Sequence, residues 1–126
     1  MFIIVFLGNL ELVKYLVEVA NADPNIIDND GKTPLFNAML IGSFSVAKYL
    51  IEVVKVDQNI KSFGGDTPLL IACKNGNLTL IKYLVEEVKV DLNAQTIRSM
   101  NRIAYRIENV ELSIYISSLE NKINIS

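Results

Sequence analysis

The chain of 126 residues contains no histidine, no tryptophan and a single cysteine. The lack of histidine excludes a histidine general base, the Cys–His and Ser–His–Asp catalytic arrangements and every histidine-ligated zinc site. One cysteine cannot form an internal disulfide bond, so nothing in the sequence calls for an oxidising compartment. These absences point away from common enzyme chemistry, and we expect a protein that is not an enzyme.

The charge balance and the apolar runs narrow the class of protein further. The formal net charge is −2, which offers no strong attraction to nucleic acid or to an acidic membrane surface. The apolar run Met1–Leu7 is much shorter than the ~20 residues of a membrane-spanning helix, and it lacks the cationic start of a signal peptide. We therefore expect an intracellular, cytoplasmic chain with no nucleic-acid or membrane partner, no metal and no cofactor.

A repeat of 34 residues dominates the sequence. The segment Gly31–Leu35, GKTPL, recurs 34 residues later as Gly65–Leu69, GDTPL. A helical block with the pattern Lys-Tyr-Leu-x-Glu occurs three times at the same spacing, and each copy is followed at the same distance by Asp-x-Asn. The three blocks are Val13–Glu18, Ala47–Glu52 and Ile81–Glu86, and the aspartates are Asp23, Asp57 and Asp91.

Each unit reads as two helices joined by tight turns. Gly31 permits the positive φ of a turn, Thr33 suits an N-cap, and Pro34 suits the first helical position. Gly42 then ends the first helix as a left-handed C-cap, and a second amphipathic helix follows. Because no helix pair can bury its apolar face alone, successive units must stack.

These motifs resemble those of the ankyrin repeat family. The family pattern is a turn with Asp and Gly, then Thr-Pro-Leu-His-x-Ala, a Gly between two helices, and Asp-x-Asn before the next turn. Thr33–Ala38 and Thr67–Ala72 carry the first motif, although Phe36 and Leu70 replace its histidine. Tetratricopeptide repeats share the 34-residue period but lack the Thr-Pro-Leu turn. The resemblance implies an all-α ankyrin-repeat solenoid of stacked helix-turn-helix units.

We predict one domain over residues 1–126, with three to four units of which the terminal ones are incomplete. Met1–Leu7 aligns with the first helix of the first, partial unit. In the last unit, Asn101–Ile103 takes the place of Thr-Pro-Leu, and Val110 takes the place of the inter-helix glycine. The predicted units are a partial repeat at 1–30, repeats at 31–64 and 65–98, and a degenerate C-terminal capping repeat at 99–126.

The second helices depart from the family pattern at their ends. The usual glycine is missing there, and Val54-Lys55 and Val88-Lys89 occupy the stretch with one residue more than the usual period. We expect the second helix to be slightly extended, with a lysine favourably placed against the helix dipole.

The resemblance implies non-catalytic binding of a partner protein through the concave groove of the stack. In the family, contacts come from residues around the turn glycine and from the two positions before the inter-helix glycine. Leu40, Ile41 and Phe63 matter most, because the scaffold does not obviously require apolar side chains there. Alternatively, these three side chains pack against a neighbouring unit or turn. The predicted partner-binding residues are Asn29, Asp30, Lys32, Leu40, Ile41, Phe63, Asp66, Lys74 and Asn75, with Ile97, Arg98 and Met100 as weaker candidates.

Other distinctive residues have structural interpretations. Cys73 reads as a small core residue, and the repeated loop aspartates as groups that order the backbone rather than bind metal. Arg98, Arg102 and Arg106 are four residues apart and form one stripe if the segment is helical. That stripe is either the polar outer face of the capping unit or a contact for an acidic partner or a phosphate.

Two other functions remain open from the sequence. The segment is either a scaffold or targeting region of a larger ankyrin-containing regulatory protein or enzyme, or a degenerate product with no specific partner. We expect a monomer, with self-association through the apolar N-terminal helix as the alternative.

Overall fold

A computed structural model describes residues 8–122, and seven α-helices account for most of that range. No strand occurs between residues 8 and 122, so the predicted all-α class is confirmed. The predicted helix at Met1–Leu7 lies outside the described residues. The helices are α1 (Leu10–Glu18), α2 (Pro34–Ile41), α3 (Phe44–Lys48), α4 (Pro68–Lys74), α5 (Leu78–Lys82), α6 (Ala94–Arg106) and α7 (Val110–Lys122).

The chain divides into two compact units, Met1–Ile71 and Ala72–Ser126. In the first unit α2 is buried along most of its length, and Leu35, Phe36 and Met39 are at most 1% exposed. Burying one such side chain contributes roughly 1.5–3 kcal/mol, so each of these residues contributes substantially to the stability of the unit. In the second unit most of the largest fully buried side chains come from α5, α6 and α7. They are Leu80, Ile81, Ile97, Met100, Leu112 and Ile116, together with Leu84 from the segment that follows α5.

A glycine in the left-handed conformation ends the first helix of each internal pair. Gly42 and Gly76 have φ angles of 73° and 65°. The next residue is the N-cap of the second helix, and in the second of these turns the Asn77 side chain accepts a hydrogen bond from the Leu80 N–H at 3.2 Å. The predicted C-cap role of Gly42 is therefore confirmed.

The last helix pair departs from the 34-residue register. Helix α6 begins at Ala94, capped by the side chain of Asn93. It ends at Arg106, and Glu108 occupies the left-handed position with a φ of 55°. The prediction that Val110 holds the turn position was wrong, because Val110 is the first residue of α7.

This pair also lacks a turn equivalent to Thr-Pro-Leu. Asn101–Ile103 lies inside α6, so the prediction that it replaces that turn was wrong. With no proline to set the first helical position, Asn93 caps the helix early, and the left-handed turn follows Gly76 after 32 residues. The predicted boundary between residues 98 and 99 therefore falls inside α6, and the division into repeat units stays a prediction.

The second helices end in a wide turn that takes up the additional residue of the 34-residue period. The Leu50 carbonyl accepts hydrogen bonds from the N–H groups of both Lys55 and Val56, closing a π-helical segment at Tyr49–Val54. A π-helical turn contains one residue more than an α-helical turn. The added residue therefore widens the last turn and leaves Lys55 left-handed, with a φ of 65°. The segment Tyr83–Val88 ends in the same way at Lys89, with a φ of 60°.

Replacing Lys55 with glycine is expected to stabilise the chain. A residue with a Cβ is disfavoured in the left-handed region by about 1–2 kcal/mol, part of which is offset by the greater backbone entropy that glycine loses. We expect the free energy of unfolding in urea, followed by circular dichroism, to rise by about 0.5–1 kcal/mol. The matched control is Lys48→Gly at a right-handed position, which should lower it by about 1 kcal/mol. An equal loss of unfolding free energy in both variants would contradict the left-handed conformation of Lys55.

The two Thr-Pro-Leu turns begin their helices differently. Thr67 Oγ1 accepts a hydrogen bond from the Leu70 N–H at 3.3 Å, as an N-cap does. Thr33 occupies the N-cap position, but its buried Oγ1 has no hydrogen-bond partner among residues 8–122. The predicted N-cap position of Thr33 is therefore confirmed, but its hydroxyl makes no cap hydrogen bond. Phe36, which stands at the family's histidine position, offers no polar side-chain atom that could pair with this hydroxyl.

The two threonines should therefore respond in opposite ways to valine. Thr33→Val replaces an unpartnered buried hydroxyl by a methyl group and should leave stability unchanged or raise it by up to about 1 kcal/mol. Thr67→Val removes a cap bond and should lower stability by about 1 kcal/mol. Urea unfolding of both variants measures the contrast, and a loss at Thr33 as large as that at Thr67 would refute it.

Candidate functional site

Two turns in the first unit hold several of the predicted partner-binding residues. In the first turn, the Asp28 carboxylate accepts hydrogen bonds from the N–H groups of Asp30 and Lys32, both at 2.9 Å. Asn29 and Asp30 are exposed at the tip, whereas Lys32 is half-buried. The Asp28 carboxylate thus orders the backbone of the turn, and the side chains of Asn29 and Asp30 are exposed to solvent at its tip.

The second turn repeats this arrangement with a serine in place of the aspartate. Ser62 Oγ accepts a hydrogen bond from the Asp66 N–H at 3.2 Å, and the Ser62 N–H donates to the Asp66 carbonyl at 2.8 Å. The Phe63 N–H donates to the Asp30 carbonyl oxygen at 2.8 Å. The structure therefore joins two of the predicted positions, Asp30 and Phe63, through the backbone.

The Phe63 ring lies against Gly31 and still faces solvent. A Cβ atom on residue 31 would lie 2.6 Å from Cδ1 of the ring, and Gly31 has a φ of 77°, so a larger residue would clash and be strained there. Nevertheless 73% of Phe63 is exposed. The ring is thus an apolar group held from one side on a pair of hydrogen-bonded turns.

Leu40 and Ile41 lie at the C-terminal end of α2, whereas the first turn precedes its N-terminal end. The distance along the helix axis from Pro34 to Leu40 is about 9 Å. Leu40 and Ile41 are 37% and 36% exposed. A Cβ atom on Gly8 would lie 3.7 Å from Ile41 Cδ1, so Ile41 packs beside the turn that precedes α1. The alternative of packing against a neighbouring turn therefore accounts for part of the Ile41 surface.

The remaining predicted positions divide between surface and core. Asp66 is half-buried in the second turn, and Lys74 and Asn75 are exposed at the end of α4. Ile97 and Met100 are 2% and 0% exposed, so they belong to the core, and the weaker prediction that they contact a partner was wrong. Arg98, Arg102 and Arg106 are all exposed on α6, as the predicted stripe requires.

A side-chain contact that sequence reasoning missed explains part of the repeated Lys-Tyr-Leu-x-Glu block. In the first unit the Tyr49 hydroxyl donates a hydrogen bond to Glu18 Oε1 at 3.0 Å. Lys14 Nζ lies 5.8 Å from the centre of the same ring. Lys14 and Glu18 are four residues apart on α1, so one helical face presents both to the tyrosine of the next block.

The second unit contains the same three-residue contact. The Tyr115 hydroxyl donates to Glu86 Oε2 at 2.7 Å, and Lys82 Nζ lies 5.5 Å from the ring centre. The repeated block contained a signal for it, since a lysine and a glutamate recur four residues apart beside a tyrosine. The bonding partner could not be read from the block, because it lies about thirty residues away along the chain.

These tyrosines are harder to deprotonate than a free tyrosine. Burial, and then the Glu18 carboxylate, raise the pKa of Tyr49. Burial and the Glu86 carboxylate raise the pKa of Tyr115 in the same way. Because the pKa is higher in the folded chain, the stabilisation is complete below about pH 10, where unfolded tyrosine begins to ionise, and it is lost as the pH rises through the folded-state pKa.

Tyr49→Phe and Tyr115→Phe should each lower the free energy of unfolding by about 1 kcal/mol at neutral pH, through loss of the hydrogen bond to a carboxylate. The parent chain should lose stability above about pH 10, and each variant should lose less over the same range. Urea unfolding at several pH values measures both effects. Tyr105→Phe is the control, because that side chain is 85% exposed. An unchanged alkaline response in both variants would contradict the assignment.

The cysteine and two of the repeated loop aspartates have structural roles. Burial raises the pKa of the Cys73 thiol to about 12, so it stays protonated at neutral pH, and its predicted core position is confirmed. Asp23 and Asp57 accept hydrogen bonds from the N–H groups of Asn25 and Asn59, both at 2.9 Å. The predicted role of ordering the loop backbone is thus confirmed for these two aspartates.

Within residues 8–122, no three His, Cys, Asp or Glu side chains are grouped so that they could hold a metal ion. In the same range, no helix has both the length and the apolar character needed to cross a bilayer.

A second surface feature is a groove of about 910 Å³ in the second unit. Its lining comes from α6, α7 and the turn between them, and includes Arg102, Tyr105, Arg106, Val110 and Ile114. We call it the α6–α7 groove. The arginine spacing indicated its charge, whereas its apolar part was not predicted.

A sequence profile described as ankyrin repeats, in three copies, matches residues 1–96. No curated protein matches the chain significantly. Ankyrin repeats are generally protein–protein interaction modules and are typically non-catalytic. The match covers well over half of the chain, and the paired helices, Thr-Pro-Leu turns and left-handed glycines agree with it. The chain therefore belongs to the ankyrin repeat family.

Proposed function

We propose that the chain binds a partner protein without catalysis, and that the paired turns of its first unit make the central contact. The observation that carries this proposal is the 73% exposure of Phe63 on a turn in which the backbone N–H groups of Ser62, Phe63 and Gly65 all donate hydrogen bonds. Large aromatic side chains are common anchors at protein interfaces. Phe63 has only two rotatable side-chain bonds and rests on Gly31, so little conformational entropy would be lost when a partner covers it.

The polar groups beside Phe63 suit the rim of such an interface. Asn29 and Asp30 are exposed on the adjoining turn, where they can accept or donate hydrogen bonds and exclude a mismatched partner. The partner surface should therefore offer an apolar pocket with hydrogen-bond donors beside it.

The other predicted positions extend this proposal. Leu40, Ile41 and Asp66 would enlarge the surface in the first unit, and Lys74 and Asn75 are the corresponding candidates in the second. These are positions that the family resemblance implies for partner contacts. The same residues would serve if the segment is the scaffold or targeting region of a larger regulatory protein or enzyme.

Phe63→Ala tests the proposal in an affinity isolation of partner proteins from an extract of the source cells. Truncating an interface anchor costs about 2 kcal/mol or more, roughly 30-fold in Kd. We therefore expect the protein recovered by the parent chain to be lost with Phe63→Ala and weakened by Asn29→Ala combined with Asp30→Ala. Val53→Ala is the matched control, because Val53 is a second apolar side chain with 62% exposure outside the turns.

Equal recovery by the parent chain and Phe63→Ala would refute the proposed surface. Loss with Val53→Ala as well would indicate unspecific apolar capture. Thermal unfolding of each variant, followed by circular dichroism, shows whether a lost partner reflects a lost contact rather than a lost fold.

A further inference from the structure

The last helix pair differs from the internal pairs on the side that forms the α6–α7 groove. Positions can be compared by counting from the left-handed residue between the two helices, which is Glu108 in the last pair and Gly42 or Gly76 in the others. Tyr105 stands three residues before that point, where the internal pairs have buried Met39 and Cys73. A position that is buried and apolar in the internal pairs is thus occupied in the last pair by an amphipathic side chain that is 85% exposed.

Two further positions show the same replacement. Arg102 stands where the internal pairs have Phe36 and Leu70, and Ser113 stands where they have Ala47 and Ile81. An arginine and a serine would be poorly accommodated against the apolar face of another repeat, because buried polar groups need partners. The groove is therefore unsuited to continue the stack.

Apolar side chains nevertheless line part of the groove. Val110 and Ile114 are four residues apart on α7 and are 69% and 64% exposed. Because their spacing places them on one helical face, they form a short apolar strip beside the Tyr105 ring. Exposed apolar side chains gathered in a concave surface are typical of protein-binding sites.

The charge of the groove is opposite to that of the whole chain. Arg102 and Arg106 line it, and neither guanidinium has a hydrogen bond or ion pair with another residue between 8 and 122. Among the lining residues within 8–122, Glu108 is the one acidic side chain. The net charge of the chain is −2, so the groove is a local cationic surface on an acidic protein.

We propose that the α6–α7 groove binds a short acidic, amphipathic helical segment of a partner protein. Carboxylates of the segment would pair with Arg102 and Arg106, and aliphatic side chains one turn apart would pack on Val110 and Ile114. An arginine forms bidentate hydrogen bonds with a carboxylate, which adds directional specificity to the charge attraction. This surface shares no residue with the turns around Phe63, so its proposal stands independently of the partner proposed for them.

Fluorescence anisotropy with synthetic peptides tests the groove directly. The probe is a fluorescein-labelled peptide of about 14 residues, roughly 21 Å of helix, with leucines four and seven residues apart and glutamates on the other faces. We expect saturable binding at low salt that weakens as salt is added, because exposed charge pairs are screened. The same peptide with lysines in place of glutamates should not bind.

Matched arginine variants locate the bound peptide. Arg102→Glu combined with Arg106→Glu should weaken the glutamate peptide at least 10-fold, since each pairing group becomes repulsive. Arg98→Glu is the control on the same helix, because Arg98 donates to Gln95 at 3.0 Å and does not line the groove. It should change the affinity less than 3-fold.

Two further variants distinguish the apolar strip of the groove from the turns around Phe63. Val110→Ser should weaken binding of the glutamate peptide, whereas Phe63→Ala should leave it unchanged.

Three results would overturn the proposal: no saturable binding of the glutamate peptide, an equal loss with Arg98→Glu, or equal displacement by a single-stranded oligonucleotide of the same charge. The last result would mean that the arginines attract any polyanion. The helical circular dichroism signal of each variant confirms that the fold is retained, as expected for changes at exposed side chains.

Discussion

The structure depends on reversing the chain between its helices with single residues in the left-handed region. Gly42 and Gly76 meet this requirement between the two helices of a pair, and Lys55 and Lys89 meet it after the second helix. Without these reversals the short helices could not fold back on one another and bury their apolar faces. Lysine disfavours positive φ, and glycine would avoid that conformational cost. The need for a chain reversal therefore outweighs the backbone preference of lysine at these two positions.

The sequence predicted most of the repeat architecture, because its signals are local. Thr-Pro-Leu turns, left-handed glycines and amphipathic blocks act over a few residues, and the structure confirms the all-α class and the Gly42 cap. The last pair was placed two residues out of register because neither proline nor glycine marks its ends. The unpartnered Thr33 hydroxyl could not be foreseen either, since it depends on which side chains surround it in space.

The candidate site was predictable in its chemistry but not in its geometry. The exposure of Asn29, Asp30 and Phe63 agrees with the turn positions that the family resemblance implies. The contact of the Phe63 ring with Gly31 joins residues 32 positions apart, so no local pattern reveals it. In the second unit, the arginine spacing indicated a stripe, whereas the apolar strip became visible only when the true register of the last turn was known. The two units therefore offer chemically different surfaces, one aromatic with a polar rim and one cationic with an aliphatic strip.

The wide π-helical turns have a consequence for how the gene can vary. Because each turn takes up one residue beyond the usual repeat length and still ends in a left-handed residue, a gain or loss of a codon there would alter only the local turn. The helices on either side would keep their faces and their partners. Length variation among relatives of this chain should therefore concentrate at the ends of the second helices. Insertions and deletions at these turns would change the repeat length without disturbing the core.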